Sequence, residues 1–233
     1  VMTLEGRKII VIGAGIGGLA VARALALRGA EVTVMEQADA VREVGAGLQI
    51  TPNGFAVLRA LGLGEDLAKG AVRAEAVSLH DYRKGEVLRL DLGRLQSRDY
   101  HFVHRADLIG LLAGGARAAG VHIRLLQKVS QVIPGPPAQV QLDNGARTKA
   151  DLVIGADGLH SILRPALNGA AAPSFTGQVA WRAVVPAPPG RPPEARVYMG
   201  PLRHLVVYPL RGGAELNVVA VQERASRGSP GRW

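Results

Sequence analysis

The sequence Lys8-Ile-Ile-Val-Ile-Gly13-Ala-Gly-Ile-Gly-Gly18, followed by Glu31-Val-Thr-Val-Met-Glu36, decides the fold. Its first part contains an apolar, β-branched run, 9–12, which is typical of a buried parallel strand. That run leads directly into a glycine-rich turn, and good helix formers follow as far as Gly29. A second apolar strand, 32–35, ends at an acidic residue. The order strand, glycine-rich turn, helix, strand and acid predicts a βαβ unit.

The residues of this unit match what an adenine dinucleotide requires. Gly13 permits a tight turn, Gly15 lets backbone N–H groups approach a pyrophosphate, and Gly18 lets the helix pack closely on the strand. The positive end of the helix holds the pyrophosphate, and the Glu36 carboxylate can accept hydrogen bonds from ribose hydroxyls. A glycine-rich turn without a ligand would not need the strands, helix and acid in this order. The pattern therefore predicts a dinucleotide site that includes Ala14, but it does not distinguish NAD from FAD.

Composition excludes several other functions. The chain has 233 residues, of which 48% are hydrophobic, so it can form a substantial core. It has no cysteine, which excludes disulfides, thiolate metal sites and thiol nucleophiles, and the sequence shows no credible metal-ligand cluster. The net charge is +9, but the basic residues are scattered without interleaved aromatics, which argues against nucleic-acid binding. Without a bilayer-length apolar stretch or a signal-peptide pattern, we expect a cytoplasmic protein that does not bind membranes.

The pattern of helices and strands changes along the chain. Mixed helix and strand signals predict a Rossmann-type domain from residues 5–71 and 101–170. Alternating strand patterns predict a mostly antiparallel β-sheet from residues 72–100 and 171–222, so the expected fold class is α/β with two interleaved domains. Residues 223–233 are mainly small and basic, which is typical of a flexible tail.

Three further motifs accompany the glycine-rich turn. They are Gly45-Ala-Gly-Leu-Gln49, His104-Arg-Ala-Asp-Leu108 and Asp151-Leu-Val-Ile-Gly-Ala-Asp-Gly-Leu-His-Ser161. In this order the four motifs resemble the single-component FAD-dependent aromatic monooxygenases, in the branch of salicylate hydroxylase and 3-hydroxybenzoate 6-hydroxylase. The resemblance covers roughly residues 5 to 222. It implies that the Rossmann-type domain binds FAD and that the antiparallel sheet is the substrate domain.

The same resemblance implies a reaction and its partners. NADH or NADPH would reduce FAD, and the reduced flavin would use O2 to hydroxylate a small aromatic acid, without a metal. A homodimer is left open. The family continues with a second FAD motif, Gly-Asp-x-x-His-Pro, which this sequence does not contain. One alternative expectation is therefore a truncated, catalytically impaired dinucleotide-binding fragment, and another is a flavin or NAD oxidoreductase that acts on a non-aromatic substrate.

The resemblance also implies roles for residues outside the βαβ unit. Arg105 would contact the flavin cofactor, and Asp157 with Gly158 would lie near the FAD pyrophosphate. Further candidates for contact with the cofactor are Arg42, Gln49 and Val129. The residues themselves leave alternatives open, because Arg105 could form a surface salt bridge with Asp107 or a neighbour, Asp157 could cap the helix expected near Ser161, and Arg42 could be solvated.

The candidate catalytic residues lie on one expected strand. His204 and Tyr208 are four positions apart, so their side chains should share a face of that strand. An imidazole and a phenol can bind a phenolic substrate and assist its deprotonation, with His204 as the base. The resemblance implies the same pair, although both residues could instead have only structural roles, with Tyr208 in the core. Arg182, Arg203 and Arg211 are candidates for binding a substrate carboxylate, and the sequence does not select among them.

Overall fold

The computed structural model describes residues 4–41, 46–94 and 99–226. The chain folds into two compact units, and each unit contains two separated segments of sequence. The first unit comprises Val1–Glu43 and Leu108–Pro173, and the second comprises Val44–Asp107 and Ser174–Trp233. The expected α/β class is confirmed, since helices and strands are present in both.

In chain order, the described residues form the following helices and strands. They are β1 (Lys8–Ile12), α1 (Ile16–Ala26), β2 (Glu31–Met35), β3 (Gly47–Ile50), α2 (Pro52–Ala60), α3 (Gly64–Gly70), β4 (Val72–Arg73), β5 (Ala76–Asp81), β6 (Gly85–Asp91), β7 (His101–His104), α4 (Arg105–Ala118), β8 (His122–Arg124), β9 (Val129–Ile133), β10 (Ala138–Leu142), β11 (Arg147–Ala150), β12 (Leu152–Gly155), α5 (Leu163–Asn168), β13 (Gln178–Pro186), β14 (Glu194–Gly200), β15 (Arg203–Leu210) and β16 (Glu215–Glu223). Two short 3-10 turns lie at Leu92–Arg94 and Arg211–Gly213.

A four-stranded parallel sheet organises the first unit. Its strand order is β12-β1-β2-β8, and α1 connects β1 to β2 as the βαβ pattern predicts. Ile10 and Ile12 share a core with Val129 and Val140 from the antiparallel sheet β11-β10-β9. Val11, on the opposite face of β1, is also fully buried. Both faces of β1 are therefore covered, which explains its continuous apolar run.

A six-stranded sheet organises the second unit. Its order is β13-β16-β15-β14-β5-β6, and a smaller antiparallel sheet has the order β3-β7-β4. The hairpin of β5 and β6 joins the C-terminal strands, as expected from the sequence. It does so through a parallel pairing in which Ala76 lies opposite Glu194, whereas the other pairings of this sheet are antiparallel.

The boundaries of the units differ from those expected. The sequence pattern assigned residues 44–71 and 101–107 to the Rossmann-type domain, whereas the structure groups them with the larger sheet. The reason is non-local pairing, since β3 and β4 both pair with β7 and the Gly47 N–H donates to Asn217 Oδ1 at 2.6 Å. Residues 223 and 224, which were expected to begin the tail, are held by backbone pairing. Glu223 belongs to β16, and the Arg224 N–H donates to the Gly177 carbonyl at 2.8 Å.

A buried carboxylate links three strands of the six-stranded sheet. The side chain of Glu194 on β14 is 2% exposed and accepts hydrogen bonds from Arg89 on β6 and Ser78 on β5. Arg196 Nε also donates to it, at 2.5 Å. Burial by itself raises the pKa of Glu194, but the bonds from Arg196 and Arg89 outweigh burial and lower it below its ordinary value. The carboxylate therefore stays charged and cross-links the strands.

We expect Glu194→Gln to destabilise the second unit by about 2 kcal/mol, because it weakens charge-assisted bonds to two arginines. Since the folded-state pKa of Glu194 is lowered, its stabilisation is present above the pKa of the unfolded state and is lost as pH falls through the folded-state value. Urea unfolding of both proteins at neutral and acidic pH measures this, and the difference between them should shrink on acidification. Glu86→Gln is the control, since Glu86 is half exposed and lies 3.9 Å from His80. Equal effects of the two substitutions would contradict the assignment.

Candidate functional site

The glycine-rich turn after β1 is shaped by two close backbone contacts. Gly13 has φ +101°, and a Cβ there would lie 2.5 Å from the Ala156 carbonyl oxygen. A Cβ on Gly18 would lie 2.0 Å from the Gly13 carbonyl oxygen. By contrast, nothing lies within 4 Å of the position that a Cβ on Gly15 would take. Gly13 and Gly18 are therefore packed against the backbone of the protein, whereas Gly15 is open, so a ligand can approach the backbone there.

The acidic residue at the end of β2 lies beside this turn. Glu36 Oε2 accepts a hydrogen bond from the Ala14 N–H at 2.8 Å, and Oε1 accepts one from the Ala38 N–H at 2.9 Å. Each carboxylate oxygen keeps a second lone pair for a ribose hydroxyl. The structure thus brings Ala14 and Glu36 together, as the fingerprint requires.

The N-terminus of α1 completes a cradle made of the Gly13–Gly18 turn, Glu36 and the helix. The helix has eleven residues, its N-cap is Gly15, and no side chain caps it. The N–H groups of its first turn point along the helix axis toward the open side of the turn, and the helix dipole adds positive charge there. An open backbone, a helix N-terminus and a carboxylate fit the pyrophosphate and ribose of a dinucleotide.

Asp157 acts as a helix cap in the first unit. Its Oδ2 accepts hydrogen bonds from the N–H groups of Ile162 at 2.7 Å and Leu163 at 3.4 Å, so α5 begins at Leu163, slightly later than expected. Gly158 has φ +75°, and its carbonyl accepts a hydrogen bond from Arg164. The capping alternative is therefore observed, and it does not exclude a contact between this loop and a ligand.

Val129 and Arg42 are two other candidates for contact with the cofactor. Val129 is 2% exposed, and its side chain belongs to the core of the first unit, so only its backbone could face a ligand. Arg42 lies outside the described residues.

The His-Arg-Ala-Asp motif lies in the second unit at the start of α4. The Arg105 N–H donates to the Ala46 carbonyl at 2.9 Å. Asp107 accepts two hydrogen bonds from Arg211, at 2.9 and 3.0 Å, and these bonds lower the pKa of Asp107. The carboxylate of Asp107 is therefore engaged by Arg211. Arg211 also donates to Glu215 at 3.1 Å, so its guanidinium is already engaged by two carboxylates.

Within the Gly45-to-Gln49 motif, the described residues 46–49 include a glycine that packs against the larger sheet. A Cβ on Gly47 would lie 2.6 Å from the Tyr208 ring and 2.8 Å from Asn217, so only glycine fits there. Gln49 Oε1 accepts a hydrogen bond from the Tyr100 hydroxyl at 2.6 Å. Asn217 is fully buried and was not among the residues expected from the sequence. Its signal was an amide within the otherwise apolar run of residues 216–221.

His204 and Tyr208 lie on the same face of β15, which we call the His204 face. Tyr208 is 4% exposed and its ring centroid is 5.0 Å from that of Phe102. Burial raises the pKa of Tyr208 to about 12. His204 is half-buried and borders a hollow of about 510 Å³ together with Val197, Met199 and Val221. The two residues share a face, but Tyr208 is packed in the core and His204 borders open space.

Two other histidines make local contacts within the second unit. His101 stacks on Phe55 at 4.7 Å, and His80 contacts Ser78 Oγ at 2.9 Å. The described part of the chain holds no cluster of His, Asp and Glu that could bind a metal. Within the same ranges, none of the helices has the length and apolarity needed to span a membrane.

We expect Gly18→Ala to weaken binding of ADP, the half shared by NAD and FAD, by at least about tenfold, which corresponds to about 1.4 kcal/mol. The added Cβ would displace the Gly13 carbonyl and with it the first turn of α1. Isothermal titration with ADP measures the effect. Gly17→Ala is the matched control, because nothing lies within 4 Å of its Cβ position and alanine favours the helix. If both variants bind ADP as the wild type does, the close contact does not control the site.

Comparison with known proteins agrees with this geometry. Residues 7–212 match the family described as "FAD binding domain". The chain is 38% identical over 224 residues to 3-amino-4-hydroxybenzoate 2-monooxygenase of Streptomyces cremeus, covering 92% of this chain and 56% of that protein. It is 37% identical over 231 residues to 3-hydroxybenzoate 6-hydroxylase of Polaromonas naphthalenivorans, covering 91% and 55%. The chain therefore spans about half the length of these relatives.

Solved structures give the same fold. Klebsiella pneumoniae HpxO complexed with FAD and uric acid has a TM-score of 0.84 at 26% identity, covering 96% of this chain and 58% of that one. CtdE in complex with FAD and a substrate has a TM-score of 0.86 at 21% identity, covering 96% and 58%. The match to the family takes in most of the sequence and both compact units. Together with the geometry of the cradle, it shows that the chain belongs to the FAD binding domain family and that FAD is its cofactor.

Proposed function

We propose that the protein is a flavin-dependent monooxygenase that hydroxylates a small phenolic acid with NADH or NADPH and O2. The observation that carries this proposal is the presence, in one chain of this family, of a dinucleotide cradle and of a sheet face that displays His204 and Tyr208. The two monooxygenase relatives support the substrate class, since their names specify hydroxylation of hydroxybenzoates.

The cofactor would be held mainly by the βαβ unit. We assign the pyrophosphate to the backbone of Gly13, Ala14 and Gly15 with Gly18 behind them, and the ribose to Glu36. Arg105, Gln49, Asp157 with Gly158 and the Val129 backbone are further proposed contacts. When bound, FAD supplies the redox chemistry, accepting a hydride from the nicotinamide and activating O2.

The His204 face would handle the phenol. His204 borders the open hollow and can accept the phenolic proton, directly or through one water, which makes the ring more nucleophilic at its ortho and para carbons. Tyr208 has a different task. Because burial raises its pKa to about 12, it stays protonated at neutral pH, so it can bind the phenol through a hydrogen bond but cannot act as its base. Packing against Phe102 and Gly47 fixes its orientation.

We expect Tyr208→Phe to raise the KM for the phenolic acid about five- to tenfold, because one hydrogen bond is worth about 1 kcal/mol. The shape of the pH–rate profile between pH 6 and 10 should not change, since the wild-type tyrosine does not ionise in that range. Steady-state kinetics across pH measures both quantities. His204→Gln is the comparison and should change the profile. If Tyr208→Phe removes an ionisation from the profile, the tyrosine is the base and the assignment is reversed.

A direct test uses the purified chain reconstituted with FAD. We expect flavin absorbance to be retained after desalting, and NADH or NADPH oxidation to be stimulated by at least one member of a panel of hydroxybenzoates. Mass spectrometry should show a product heavier by one oxygen atom. If no hydroxybenzoate stimulates oxidation, or if the stimulating acid is recovered unchanged, the proposed substrate class is wrong.

A further inference from the structure

The structure distinguishes among the three arginines that could bind a substrate carboxylate. Arg211 is excluded because Asp107 and Glu215 already engage its guanidinium at 2.9 to 3.1 Å. Arg203 directly precedes His204 on β15, so its Cα–Cβ bond points to the opposite face of the sheet, although the residue also borders the hollow beside His204. Arg182, on β13, remains.

The pairing of β13, β16 and β15 places Arg182 on the His204 face. Arg182 lies opposite Val219 of β16, and Val219 lies opposite Val206 of β15. Directly paired residues share a face, and Val206 is two positions from both His204 and Tyr208. Arg182 is therefore level with the midpoint between the two candidate catalytic residues, two strands away from them.

The strand between them forms an apolar floor. Val219 and Val221 of β16 point to the His204 face and are partly exposed. Neighbouring strands are about 4.8 Å apart, so β13 and β15 are about 9.6 Å apart across this floor. A single aromatic ring lying on the two valines, with a hydrogen bond of about 2.8 Å at each end, spans that distance.

The electrostatic environment of Arg182 suits an anion. Its side chain is exposed, and within the described ranges it has no hydrogen-bonded or ion-paired partner. The pKa of Tyr208 is raised chiefly by burial, and the charge of Arg182 acts in the opposite direction, so its field reaches the phenol. A guanidinium free to form two parallel hydrogen bonds is the group best matched to a carboxylate.

We propose that Arg182 binds the carboxylate of the aromatic acid and sets the preference for acids, while His204 and Tyr208 bind the hydroxyl end of the ring. This inference rests on the proposed function, because it names the residue that recognises the acidic part of that substrate. It also fixes the orientation of the ring, with its carboxylate toward β13 and its hydroxyl toward β15.

The test compares a hydroxybenzoate that stimulates the wild type with the corresponding hydroxybenzamide, which is neutral but similar in shape. We expect Arg182→Gln to raise the KM for the acid about ten- to hundredfold, since a hydrogen bond to a charged group is strong. The KM for the amide should change less than about twofold. Arg182→Lys should recover part of the loss, because it keeps the charge without the planar fork. Arg203→Gln tests the other candidate arginine, which also borders the hollow beside His204, and should raise the KM for the acid much less than Arg182→Gln does. FAD affinity should be unaltered in every variant.

Each other outcome decides against the inference. If Arg182→Gln raises the KM for the acid and the KM for the amide equally, Arg182 has only a structural role, and the proposed function still stands. An effect of Arg203→Gln equal to that of Arg182→Gln would place the carboxylate site elsewhere. If the wild type responds to no hydroxybenzoate, the proposed function fails, and this inference fails with it.

Discussion

The close backbone contact between the start of α1 and the end of β1 is the constraint on which the cofactor site depends. Gly18 can lie against the Gly13 carbonyl only because it carries no Cβ, and Gly13 fits against the Ala156 carbonyl for the same reason. That contact directs the helix N-terminus toward the open side of the turn. The pairing of β1 with β2 then brings Glu36 to the Ala14 N–H. The anion-binding backbone and the ribose-binding carboxylate are thus positioned by a single packing requirement.

A second glycine has a comparable role in the other unit. Gly47 lets β3 approach the larger sheet closely enough for its N–H to bond to the buried Asn217. Tyr208 is packed in the same place, which keeps its phenol neutral and fixed. His204, four residues earlier on the strand, lies beyond this packed region. His204 and Tyr208 share a face of the strand, but they differ in chemistry because β3 packs over Tyr208 and not over His204.

The parts of the structure that sequence reasoning predicted are those encoded locally. The βαβ unit, the shared face of His204 and Tyr208 and the hairpin of β5 and β6 follow from periodicity within short windows. The parallel pairing of β5 with β14 and the grouping of β3 with the second unit depend on contacts between distant segments, which no local pattern reports. The pairing of Arg211 with Asp107 is non-local for the same reason. Only the strand register shows that Arg182 and Arg203 lie on opposite faces.

The parallel pairing of β5 with β14 has a consequence for the order of folding during synthesis. The hairpin of β5 and β6 leaves the ribosome early, but the strand that covers its open edge is made only after the whole second segment of the first unit. Until Glu194 emerges, the backbone groups of that edge have no native partner, and Arg89 lacks its buried carboxylate. Contacts so distant in sequence form slowly, and unpaired strand edges favour aggregation. We therefore expect the nascent chain to depend on chaperones between the synthesis of β6 and that of β14.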